Sequence, residues 1–111
     1  MEFIIRLNGI YDIACGTAIL YAKNTYLANL HPYMFLPGVM NKIALRFMAY
    51  WIILYGCIRL FSNDKQLIAA SYLIEAVVFL NELAVHESTY DSKALFVVTT
   101  SIILAIMCNY V

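Results

Sequence analysis

Four long apolar stretches divide this chain, and short polar breaks separate them. The stretches run from about residue 3 to 22, 43 to 61, 67 to 84 and 94 to 111. Each is close to the ~20 residues that an α-helix needs to cross a bilayer. None alternates apolar and polar residues as a half-buried strand would. A backbone in lipid must satisfy its own hydrogen bonds, so all four stretches are predicted as helices. The pattern therefore predicts an all-α fold, a single four-helix transmembrane domain spanning residues 1–111.

The breaks set the connectivity. Ser62-Asn63-Asp64-Lys65-Gln66 is short enough to make the second and third helices an antiparallel hairpin. His86 to Lys93 is the second polar break. The segment of about residues 24–41 is different, because Tyr26, Leu27, Leu30, Tyr33, Met34, Phe35 and Leu36 make it largely apolar. Pro32 and Pro37-Gly38 forbid one continuous helix there. We read it as an interfacial loop with one short helical turn, at the level where aromatic residues favour the headgroups.

Composition agrees with lipid as the solvent. The chain is 64% hydrophobic and 13% charged, with mean hydropathy +0.79, against about 25% charged in soluble domains. Seven basic and seven acidic residues cancel, leaving no basic patch for nucleic acid. Arg6 and Asp12 interrupt the first stretch, so it is predicted to be a helix of the mature protein and not a signal peptide. Four crossings place Arg6, Arg59 and Lys65 on one side and Lys23, Lys42, Arg46 and Lys93 on the other. That near balance does not orient the chain. The abundance of Ile, Tyr and Asn fits an AT-rich genome. It leaves an organelle inner membrane, a bacterial inner membrane and a viral membrane equally open.

Charge inside the apolar stretches is the main chemical signal. Asp12 lies midway along the first and Glu75 midway along the third, each about ten residues from either end. An ionisable group at that depth costs about 2.5–3.5 kcal/mol on insertion scales, so it has a partner or a task. Gly9, Asp12 and Gly16 share one stripe, with Asn8 beside it, which turns Asp12 toward a closely approaching helix. Arg46, Ala49, Ile53, Gly56 and Cys57 form the expected face of the second helix, with Arg59 well around from it. Both of these arginines lie near helix ends, where their heads can snorkel to the interface. Ser71, Glu75, Val78 and Glu82 stripe the third helix, and Ala94, Ser101, Ala105 and Cys108 the fourth. Asp12 and Glu75, with Arg6, Arg46 and Arg59 as candidate counter-ions, form an expected polar junction or a site of proton or cation handling. Gly9, Gly16, Gly56, Ser101 and Ala105 are the expected helix-packing positions.

Other chemistry has little footing. Cys15, Cys57 and Cys108 read as small buried hydrophobes. His31 and His86 fall in loops without a third ligand, so no metal and no cofactor is expected. Thr99, Thr100 and Ser101 read as helix back-bonding hydroxyls. Tyr11, Tyr21, Tyr50, Tyr55, Tyr72 and Trp51 read as packing and belt residues.

Arg6, Gly9, Asp12 and Gly16, the proline-bearing loop at Pro37, and Arg46, Gly56 and Arg59 make the first ~55 residues resemble the DoxX-like small four-helix membrane proteins. That resemblance implies an accessory role beside respiratory or redox membrane systems, without a uniform activity. The length, the four helices and Asp12 in the first of them are also similar to small multidrug-resistance transporters. There Asp12 would stand for their essential carboxylate. Residues 71–82 lack the glycine motif of those transporters, and Glu75 adds a second acid.

The reading from sequence is a non-enzymatic integral membrane protein, a structural or accessory subunit of a larger assembly in an organellar or respiratory complex or a virion membrane. Its expected partners are the lipid bilayer and other membrane subunits or further copies of itself, with no nucleic acid. The alternative is a small proton-coupled transporter or channel using Asp12 and Glu75. A cavity at the two acids favours transport, and arginine pairing with dry packing favours a structural junction.

Overall fold

The computed structural model describes residues 2–22, 24–36, 41–85 and 89–108. It is all-helical, with four long helices, α1 (Glu2–Tyr21), α3 (Lys42–Phe61), α4 (Lys65–Ala84) and α5 (Asp91–Cys108). A short α2 (Tyr26–Leu30) and a 3-10 turn (Pro32–Met34) lie between α1 and α3. The four long helices are long and apolar enough to cross a membrane.

The helices start where side chains satisfy their first N–H groups. Asn41 Oδ1 accepts from Ala44 N at 2.8 Å, and Asp64 Oδ1 accepts from Gln66 N at 3.0 Å. These are N-caps, which supply partners for donors the helix itself leaves unpaired. Capping also explains why α4 begins two residues before the apolar stretch does. α5 begins at Asp91, three residues before the expected start. Residues 109–111, the expected end of that stretch, lie outside the described residues. The expected loop of residues 24–41 holds two short elements instead of one. Thr25 caps α2, and Pro32 opens the 3-10 turn at a position where its missing N–H is harmless. Pro37-Gly38, Lys23 and His86 lie outside the described residues.

Packing does not follow chain order. The closest pairs are α1 with α3 and α4 with α5, whereas α3 and α4 touch only sparingly despite their three-residue connection. Glycine decides the first pair. A Cβ on Gly56 would stand 2.7 Å from Gly9 O, and one on Gly9 would stand 2.8 Å from Gly56 O. A Cβ on Gly16 would come within 2.8 Å of Ala49 O. Backbone therefore meets backbone, as small residues permit in membrane helices.

Two apolar clusters hold the ends. Ile5, Ile68, Ala69, Tyr72, Ala105 and Cys108 join α1, α4 and α5 on the side of the α3–α4 connection. Ala18, Ile19, Ala28, Ala49 and Ile52 join α1, α2 and α3 on the other side. There the Tyr90 N–H also donates to Met34 O at 3.0 Å, tying the 3-10 turn to the start of α5. Large apolar side chains elsewhere point outward, among them Phe3, Phe47, Val77 and Phe96.

Candidate functional site

The site is centred on Arg59. Its Cα lies two residues from the end of α3, yet the residue is 1% exposed. The expected snorkelling of Arg59 is therefore corrected. In a helix each Cα–Cβ bond tilts toward the N-terminus, so a long side chain near the C-terminus of α3 points back into the bundle. The same rule sends Arg46, near the N-terminus of α3, outward, and Arg46 is exposed. It stands 13 residues from Arg59, about 20 Å along the axis at 1.5 Å per residue, and takes no part in the junction. The buried face of α3 is accordingly Ala49, Ile52, Tyr55, Gly56 and Arg59, rotated from the expected Arg46–Ile53–Cys57 face.

The guanidinium joins α1 to α4. Nη1 donates to Asp12 Oδ2 at 2.7 Å and to Asn8 Oδ1 at 3.2 Å. Nη2 donates to Glu75 Oε1 at 2.9 Å, and Nε to Ser71 Oγ at 3.1 Å. Its carbon lies 3.7 Å from the Tyr72 ring centroid and 5.0 Å from that of Tyr55. An arginine can serve so many partners because its donors form a planar fork and its faces stack on aromatic rings. Tyr72 Oη donates to Asn8 Oδ1 at 2.8 Å, and Ser101 Oγ donates to Glu75 Oε1 at 3.2 Å. All four long helices thus contribute.

Arg6 does a different task from the one expected. Its Nη1 donates to the carbonyls of Arg59, Leu60 and Ser62 at 3.0, 3.1 and 2.6 Å. These are carbonyls at the end of α3, which the helix leaves without partners of its own. Among the packing positions, Gly9, Gly16 and Gly56 make the close α1–α3 contact, and Ala105 is buried against Tyr72 and Cys108. Ser101 goes further, since its hydroxyl bonds Glu75. On α4, Ser71 is buried, Glu75 and Glu82 are half-buried, and Val78 is exposed, so the expected stripe holds only in its first half.

A cavity of about 550 Å³ reaches this junction. Asn8, Asp12, Arg59, Tyr72, Glu75 and Ser101 line its polar end. Tyr26, Tyr33, Lys93 and Phe96 line it toward the ends of α2 and α5. Both hydrogen bonds to Glu75 fall on Oε1, and the bond to Asp12 falls on Oδ2. The second oxygen of each acid accepts no hydrogen bond among the described residues. The Glu75 side chain is 15% exposed against 5% for Asp12.

A second cavity of about 260 Å³ lies on the α3 side of Glu75, and His31 and Glu75 line both. His31 Nδ1 and Tyr55 Oη are buried without hydrogen-bond partners among the described residues. Such atoms cost about 1–3 kcal/mol each when left unpaired. Burial lowers the His31 pKa, with Glu75 opposing and Arg59 adding to the shift. His31 was expected only as a loop residue, and Tyr55 and Tyr72 only as packing residues. For Tyr72 a signal existed, because it lies one turn before Glu75 and shares its face. Among the described residues, no three His, Cys, Asp or Glu side chains converge as a metal would need. No known protein family, curated protein or solved structure matches this chain.

Proposed function

We propose that the chain is a non-enzymatic integral membrane protein that takes a proton or a small monovalent cation at the Asp12–Glu75 pair. The carrying observation is one of charge. Two carboxylates share one buried guanidinium on the floor of a cavity. When both acids are ionised, one negative charge remains uncompensated, and in a low-dielectric interior it recruits a proton or a cation. Arginine pairing alone would support a purely structural junction, but a dry junction has no cavity at its acids. The unbonded oxygens of Asp12 and Glu75 supply ligands, and Tyr11, Tyr72 and Ser101 line the space beside them.

The test is flux in proteoliposomes under an imposed pH gradient, followed by a trapped pH-sensitive dye, together with binding of radiolabelled sodium as a small monovalent cation. The wild type should show pH-dependent flux or binding that Glu75→Gln removes. Equal behaviour in wild type, Glu75→Gln and Asp12→Asn would reject the proposal.

A second reading is an accessory subunit of a membrane assembly. It is favoured by the outer face of α3, where Phe47, Tyr50, Trp51 and Leu54 are each about half exposed or more. Native purification in mild detergent should then recover partners in fixed stoichiometry, and a stable solitary species would count against it.

A further inference from the structure

The second cavity has a different character from the first, and two unpaired polar atoms mark it. It lies between α3 and α4, the consecutive long helices that pack least. Its walls are apolar and aromatic, formed by Phe47, Met48, Trp51, Ile52, Val78 and Phe79. Phe47 is 66% exposed and Trp51 48%, so the cavity opens sideways, away from the bundle axis. In a bilayer that direction is hydrocarbon. A guest arriving that way is a membrane-resident molecule with an apolar body.

The polar requirement comes from the inner wall. Tyr55 is 6% exposed, and its hydroxyl lies buried without a hydrogen-bond partner among the described residues. Trp51 stands edge-on beside it, 5.6 Å between ring centroids, with its indole N–H near that oxygen but outside hydrogen-bonding geometry. His31 lines the same cavity, and its buried Nδ1 is also unpaired among the described residues. A tyrosine hydroxyl both donates and accepts, and an imidazole nitrogen does one or the other according to its tautomer. A guest hydroxyl satisfies both atoms with either tautomer. An ether or ester oxygen only accepts, so it serves one of them at most when Nδ1 is the acceptor. Glu75 lines this cavity too, which disfavours an anionic head such as an ionised fatty acid.

We infer that this cavity binds a neutral, hydroxyl-bearing amphiphile from the bilayer, its hydroxyl bridging Tyr55 Oη and His31 Nδ1 and its apolar chain lying between α3 and α4. The site shares Glu75 and His31 with the cation cavity but does not depend on cation handling. Flux could be absent and the amphiphile still bind.

The chain's single tryptophan, Trp51, is a reporter placed in the cavity wall. The protein in phosphatidylcholine vesicles is titrated with a chain-brominated monoacylglycerol, and Trp51 quenching is read. The matched methyl ether, without free hydroxyls, and brominated phosphatidylcholine serve as comparisons. Saturable quenching by the monoacylglycerol, at least tenfold tighter than by the ether, is the expected result. Tyr55→Phe keeps the ring against Arg59 and removes only the hydroxyl, and it should erase most of that difference. Linear quenching, or equal quenching by monoacylglycerol and ether in the wild type, overturns the inference whether or not the variant folds. So does a folded Tyr55→Phe protein that discriminates as the wild type does.

Discussion

Arg59 and Asp12 meet at 2.7 Å although one lies near the end of its helix and the other at the middle. The length and tilt of the arginine side chain bridge that offset. The Gly9–Gly56 contact brings the two helices close enough for it. A charge that could have reached the interface is instead spent inside, on two acids at once.

Removing Arg59 should therefore be severe. Arg59→Met leaves Asp12 and Glu75 without their counter-ion and is expected to destabilise the fold by about 3–5 kcal/mol, the usual loss when one member of a buried pair is removed. Adding Asp12→Asn and Glu75→Gln to that variant should restore most of the loss. Thermal melts in detergent, followed by circular dichroism, measure both. Arg59→Met melting like wild type would mean that the junction carries no stability.

The two acids should separate in their effects. Asp12 is 3% exposed and, among the described residues, its side chain bonds only to α3, whereas Glu75 is half-buried and also accepts from Ser101 on α5. Asp12→Asn is expected to lower the melting temperature more than Glu75→Gln. Glu75→Gln is expected to reduce cation or proton binding at least tenfold. Parallel melts and titrations with radiolabelled sodium compare them, and the reverse ranking would place the working carboxylate on α1.

The glycine contact allows a sharper substitution. Gly56→Ala puts a methyl 2.7 Å from Gly9 O, and backbone cannot yield as a flexible side chain does. A loss of about 1–3 kcal/mol is expected, typical of overpacking. Thr17→Ala, at an exposed position of the same bundle, should change little. Equal melting temperatures for the two variants would show that α1 and α3 separate at no cost.

Arg6→Met should loosen the end of α3 without breaking the junction. It removes charged donors from three carbonyls, and charge-assisted bonds contribute about 1.5–3 kcal/mol when buried. These are partly solvated, so a loss of about 1 kcal/mol is expected. Hydrogen exchange should rise at residues 59–64 and stay unchanged around Asp12.

Docking of α2 and the 3-10 turn should weaken with acid. Burial lowers the His31 pKa below its ordinary 6.5, so the undocked segment takes up a proton first as pH falls. Docking is then complete above about 6.5 and declines below it. The groups facing His31 include Tyr11, Glu75 and Arg59. Hydrogen exchange of residues 26–34 at pH 7.5 and pH 5.5 should show the change in wild type and lose it in His31→Phe.

The sequence alone determined that four helices form, because their length, apolarity and lack of alternation leave a backbone in lipid no other way to satisfy itself. It also located Asp12 and Glu75 at mid-helix and the glycine stripe that turns Asp12 inward, since these follow from spacing along one helix. What it could not contain is how one helix meets another. Two arginines near the ends of α3 look alike in sequence, yet Arg46 is exposed and Arg59 is the hub. Which of them turns inward depends on the tilt of each side chain relative to its own helix and on the neighbour that tilt meets. The pairing of α1 with α3, the cavity lined mainly by α1, α4 and α5, and the second cavity between α3 and α4 likewise arise from contacts between segments far apart in the chain. Tertiary structure decided those, because close backbone approach at Gly9 and Gly56 outweighed the short connection that would have kept α3 and α4 together.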